Sequence, residues 1–125
     1  MRHLELFAGI GGFRRAMDLL TQDHIMDFHC IGYSEIDAKA VKTYCANYHP
    51  EVDGELAMGD IVEFTSNKNN MDNLPQFDLV TGGFPCQTFS MMGKQAGFNE
   101  DRGQMFFHII DILAAKMPRY VLLEN

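Results

Sequence analysis

Cys86 stands in the stretch "FDLVTGGFPCQTFS", residues 77–90, where an apolar run stops at Gly82 and Gly83 and gives way to Pro-Cys-Gln. A strand-end loop with a rigid proline before the cysteine and small residues beside it suits a nucleophile, because a substrate can approach closely and the thiol is held in place. Attack requires the thiolate form, which the surroundings must favour. The chain has three cysteines, an odd number, and none lies in a C-x-x-C spacing, so they read as free thiols and not as disulfides or a zinc site. Cys30 in a strand pattern and Cys45 on an apolar helix face read as small buried hydrophobes. His24 and His29 lack companions at ligand spacing, and no metal is expected.

A second constellation begins at "FAGIGGFRRAMDLL", a glycine turn that opens a helix. Missing side chains at such a turn let a ligand approach the backbone, and the helix N-terminus faces it. In a dinucleotide fingerprint the third glycine, counted from Gly9 and Gly11, would fall where Arg14 stands, which argues against a pyrophosphate and an NAD-type oxidoreductase. A plain strand-to-helix turn explains the glycines equally well. Glu35 in "GYSEID" lies about 20 residues past the turn, the separation at which a carboxylate accepts from ribose hydroxyls. Asp37 reads as the cap of the next helix. Asp60 in "GDI" either accepts from an adenine amino group or belongs to turn chemistry.

These residues need a scaffold that brings them to one edge. The runs 3–7, 77–81 and 119–125 are short, apolar and bounded by Gly or Pro, as strands covered on both faces should be; 28–35 and 55–61 are weaker candidates. Between them lie helical patterns: Phe13, Ala16, Met17 and Leu20; Val41, Tyr44, Cys45 and Tyr48; Phe106, Ile109, Ile110 and Leu113. Residues 65–76 read as a polar surface connection. The alternation predicts an α/β domain, a Rossmann-like parallel sheet with helices on both faces and ligands beyond the carboxyl ends of the strands. Every unusual feature falls at such an end.

The 125 residues, 46% hydrophobic and 22% charged, suit one globular domain and not a disordered tail. No apolar stretch approaches a membrane span and the glycine-bearing N-terminus is no signal peptide, so no membrane partner and a cytoplasmic location are expected, nucleoid-associated if the source is bacterial. A net charge of -7 disfavours strong phosphate binding by these residues alone, so a nucleic-acid partner would need basic surface supplied elsewhere.

With these pieces assembled, the chain closely resembles the cytosine-C5 DNA methyltransferase family. The motifs "FAGIGGF" (7–13), "YSEIDAKAVKTYCANY" (33–48), "GDI" (59–61), "GGFPCQTFS" (82–90), "EDRGQMFF" (100–107) and "VLLEN" (121–125) follow in the family's order. The resemblance implies a cofactor, S-adenosylmethionine. Phe7, Gly9 and Gly11 would shape its methionine end, Glu35 would hold the ribose, and Asp60 with Ile61 would border the adenine. Ile36 stands where many relatives have an aromatic residue, giving apolar packing in place of stacking. Pro85 and Met105 would complete the pocket. Cys86 would add to C6 of cytosine, and Glu124 would present a protonated carboxyl to ring N3. Asn125 would hold the adjoining loop. Residues 87–103 resemble the family's mobile loop, with Gln87, Ser90 and Lys94 as nucleic-acid contacts.

The resemblance further implies that residues 1–125 are the N-terminal part of the cofactor-binding and catalytic domain. A target-recognition region is absent, and the sheet is incomplete at its C-terminal side. The expected partners are DNA, with tRNA as the alternative substrate, and either a missing C-terminal half or a complementary subunit. A noncatalytic remnant serving as an interaction module is the other reading. These residues alone should be inactive and prone to self-association, since 119–124 would be an apolar edge strand; the missing polypeptide should restore activity, and restriction-modification is the expected setting.

Overall fold

The computed structural model describes residues 1–85 and 105–125. Cys86, Gln87, Ser90 and Lys94 lie outside the described residues. Five parallel strands, β1 (Arg2–Leu6), β2 (His29–Ser34), β3 (Leu56–Ala57), β4 (Leu79–Gly83) and β5 (Tyr120–Glu124), form one sheet in the order β3-β2-β1-β4-β5. Helices α1 (Gly12–Gln22), α2 (Ala38–Tyr48), α3 (Pro50–Asp53), α4 (Ile61–Ser66), α5 (Lys68–Asn73) and α6 (Met105–Lys116) connect them. The strand order reverses between β1 and β4, so loops leaving these neighbours diverge and open a crevice at their carboxyl ends.

Alternation along β1 sorts the two faces of the sheet. Leu4 and Leu6 join Val80, Ile109, Ile112, Ile61 and Phe64 in an apolar core beneath α4 and α6. His3 and Glu5 point the other way, are fully buried, and face a polar layer under α1 and α2. A one-residue slip between His3 and Leu4 pairs Cys30 with His3 and Gly32 with Leu4. That slip lets Cys30 and Tyr33 share the second face, where both meet Tyr44 of α2.

The predicted strands all form, although 55–61 contracts to the two residues of β3. The helix from 12 to 22 buries Arg14 and Met17 and exposes Ala16, because the polar layer accepts a guanidinium that an apolar pattern would not. In α6 Ile112 is fully buried and Ile110 is 40% exposed, a shift of the buried stripe from the predicted one. The expected connection at 65–76 contains the end of α4 and all of α5. Asn67 caps α5 by accepting from Asn70 N–H, and Leu74 anchors the segment in the core. Tyr120, Val121 and Leu122 of the edge strand β5 are about half exposed. Among the described residues no helix is long and apolar enough to cross a membrane.

Candidate active site

Five strand ends meet on one rim because all the strands run the same way. Phe7 follows β1, Glu35 follows β2, Asp60 precedes α4, Pro85 follows β4, and Glu124 ends β5. Phe7, Ser34, Glu35, Ile36, Asp60, Ile61, Pro85 and Met105 line a cleft with an empty volume of about 440 Å³, open on one side.

The rim is fastened by backbone bonds. Ala8 N–H donates to Ser34 O at 2.9 Å, and Met58 N–H donates to Tyr33 O at 2.9 Å. The Ser34 hydroxyl donates to Gly59 O at 2.8 Å. Phe7 adopts a φ of 53°, a left-handed conformation that a bulky residue takes up only when its surroundings enforce it; such strain gathers at functional sites.

Glu35 accepts from Gly9 N–H at 2.7 Å through one oxygen and from Ile36 and Asp37 N–H, both at 2.8 Å, through the other. Its carboxylate therefore ties β2 to the glycine turn while lining the cleft. Asp37 caps α2 through Lys39 N–H, as its position in the sequence suggested. Asp60 caps α4, its Oδ1 accepting from Val62 N–H at 2.8 Å, so the turn-chemistry reading is realised at a residue that also borders the cleft. Ile61 is almost wholly buried and forms cleft wall and core together.

On the β4–β5 side, Gly83 pairs with Glu124, and Phe84 N–H donates to Glu124 O at 3.2 Å. A β-carbon at Gly83 would stand 3.3 Å from Glu124 Oε2. The missing side chain thus leaves room for the carboxyl beside the end of β4. Of the residues the sequence singled out, Phe7, Glu35, Ile36, Asp60, Ile61, Pro85 and Met105 line the cleft, Gly9 bonds Glu35, and Gly11 and Glu124 are not among the lining residues.

The polar layer under α1 went unseen in the sequence. His3 Nε2 lies 2.8 Å from Thr81 Oγ1, and Glu5 Oε1 accepts from Arg14 N–H at 3.3 Å. Arg14 donates through Nη1 to Glu55 at 2.6 Å and through Nε to Asp18 at 3.0 Å. Its guanidinium carbon also stands 5.1 Å from the Tyr48 ring centroid. The only signal in the sequence was a charged residue at the place a dinucleotide site would keep glycine. Burial pushes the Cys30 thiol up to about 12, so it is an inert thiol.

Burial also pushes Glu5 up to about 7, against the pull of the Arg14 and Phe13 N–H groups, and pushes His3 down to about 4, aided by the Arg14 charge. Glu5 favours the folded state when protonated, so its contribution is complete below about pH 4.5 and is lost as pH rises through 7. His3 favours it when neutral, so its contribution is complete above about pH 6.5 and is lost as pH falls to 4. Each is on the order of 3 kcal/mol. The opposed slopes cancel between about pH 4.5 and 6.5. Glu5→Gln should therefore expose a stability that climbs with pH in this window relative to wild type, and His3→Gln one that falls. Urea midpoints measured across pH check both; parallel profiles for all three proteins would contradict the opposed pair.

Comparison with known proteins agrees with this geometry. The family profile described as C-5 cytosine-specific DNA methylase matches residues 1–125, and the chain belongs to that family. It is 41% identical over 125 residues to the orphan methyltransferase M.Rho11sI of Bacillus phage rho11s, covering all of this chain and 23% of that protein. It is 42% identical over 122 residues to the type II methyltransferase M.NlaX of Neisseria lactamica, covering 98% of this chain and 35% of the relative. The chain thus spans about a quarter to a third of the length of such relatives. The crystal structure of the S. pombe Dnmt2 methyltransferase shares the fold, with a TM-score of 0.63 and 22% identity over 98% of this chain and 33% of that one.

Proposed function

We propose that this chain is the N-terminal part of the catalytic domain of a DNA cytosine-C5 methyltransferase that uses S-adenosylmethionine. The observation that carries the reading is the placement of Glu35 and Glu124 at the carboxyl ends of parallel strands, the first in the cleft and the second against Gly83. The donor set suits the cofactor's chemistry. Glu35 can accept from ribose hydroxyls, Asp60 borders the adenine end, and Phe7, Ile36, Ile61, Pro85 and Met105 offer apolar walls to the purine and the sulfur-bearing chain. Gly9 and Gly11 admit the methionine end against the backbone. The bound cofactor supplies the methyl group.

The chain's own residues handle the base. Cytosine C5 is a weak nucleophile, so the Cys86 thiolate adds to C6 and makes C5 electron-rich. Glu124 presents its carboxyl to N3, where it stabilises the charge that develops on the ring. C5 takes up the methyl group, a base removes the C5 proton, and the thiolate departs as the C5–C6 double bond re-forms. The target base must leave the helix to reach the rim. Gln87, Ser90 and Lys94, in the residues that follow the nucleophile, contact the nucleic acid. The rest of a longer or split enzyme supplies target recognition and the basic surface that a chain of charge -7 lacks.

A tritiated-methyl transfer assay with the full-length protein on duplex DNA and on tRNA tests the reading. Label should enter DNA at cytosine C5; label entering tRNA alone would assign the substrate to the other nucleic acid. In the same protein, Glu35→Ala should weaken S-adenosylmethionine binding by about 1–3 kcal/mol in calorimetric titration, the loss of charge-assisted hydrogen bonds. Unchanged affinity would remove Glu35 from the site.

A further inference from the structure

Helix α1 begins without a side-chain cap of its own, at Gly11 in a left-handed conformation with φ 91°. The turn must nonetheless hold its peptide planes fixed, because a wandering glycine segment cannot present a backbone to a ligand. Its fastening comes from α2. The Tyr48 hydroxyl donates to Gly11 O at 2.8 Å, a carbonyl that also accepts from Arg15 N–H at 2.9 Å, the first helical bond of α1. The Tyr48 ring fills the space where a Gly11 side chain would be, so a methyl group there would overlap it. Tyr44 packs against Tyr48 at 4.8 Å between centroids and stacks on Tyr33 at 4.3 Å, which ties the ring to β2 immediately before Glu35. Arg14 lies over the same ring and reaches Glu55, the residue before β3.

The geometry points to Tyr48 as a positioning residue that sets the Gly11 peptide from behind and thereby the methionine end of the cofactor cleft; the inference rests on the cofactor reading given above. Tyr48 is not among the described residues that line the cleft and acts through Gly11. Two of the four strand-end segments that border the cleft, those after β1 and β2, are joined through this aromatic stack, and Arg14 extends the link to β3. Burial raises the pKa of the Tyr48 phenol, keeping its proton available for donation.

Tyr48→Phe in the full-length protein keeps the ring and removes the donor. The dissociation constant for S-adenosylmethionine, and for its demethylated product, should rise about three- to tenfold, the effect of one lost hydrogen bond. The turnover number at saturating cofactor and the KM for DNA should stay at their wild-type values, and hydrogen exchange of the amides from Gly11 to Arg15 should accelerate. Tyr44→Phe serves as the contrast, since that hydroxyl meets Arg14 and Cys30 and not the turn; it should lower the unfolding midpoint with cofactor affinity unchanged. Wild-type affinity and exchange in Tyr48→Phe would overturn the positioning role and leave the cofactor reading standing. Failure of the unsubstituted protein to bind either ligand would overturn both.

Discussion

Cys86→Ala in the full-length protein should lower methyl transfer to cytosine by more than about a thousandfold while leaving S-adenosylmethionine affinity near its wild-type value. The loss is large because the thiolate does not assist an otherwise available route: without addition at C6 the ring carbon has too little electron density to attack a methyl group. A duplex carrying 5-fluorocytosine gives the complementary result. Fluorine cannot leave as a cation in place of the C5 proton, so the enzyme should remain bonded to C6, and mass spectrometry should locate the bond at Cys86. The structure sharpens the contrast with the other two thiols. Cys30 lies buried in β2 with its pKa pushed up to about 12, and Cys45 sits on α2 with its sulfur 3.5 Å from the Tyr33 hydroxyl. Neither lines the cleft. A bond found at Cys30 or Cys45 would sink the assignment of the nucleophile.

The rim was legible in the sequence because its residues stand where strand patterns stop. A glycine turn, a carboxylate after the second strand and a Glu at the end of the fifth need no knowledge of packing to be placed at one edge, since parallel strands put all their carboxyl ends together. The helix faces were less legible. Ile110 and Ile112 are equally apolar, and α6 is apolar nearly all round, so the choice between them depends on where α4 lies. The layer of His3, Glu5, Arg14 and Glu55 was opaque for a different reason: burial of charged side chains is possible only when partners from distant elements meet, and pattern reading places such residues at the surface. Tyr48 was read as one of an apolar helical stripe, and nothing in that pattern shows a hydroxyl reaching a carbonyl 37 residues away.

Arg14→Met should destabilise the protein by about 3–5 kcal/mol, the cost of leaving a buried charge without its partner. The Glu55 side chain is 1% exposed, accepts from Arg14 at 2.6 Å through one oxygen, and has no hydrogen-bond partner for the other. Burial raises its pKa, and the Arg14 charge is the first influence opposing that rise. Removing the guanidinium therefore leaves Glu55 to be protonated or to draw water into the layer, and either course is unfavourable. Asp18, whose side chain is 38% exposed, can turn to solvent and contributes little to the penalty. The double variant Arg14→Met/Glu55→Leu should recover most of the loss, since apolar residues of similar volume often replace a buried ion pair at little cost. Denaturant unfolding of the wild type, the two single variants and the double variant closes a cycle whose coupling measures the pair. A loss below about 1 kcal/mol in Arg14→Met would mean that Glu55 is readily neutralised in place. Because Arg14 N–H also bonds Glu5 on the central strand, the helix that opens at the glycine turn is held at one residue by backbone and side chain together. Methionine keeps the first bond and loses the second, so the stability change isolates the contribution of the charge.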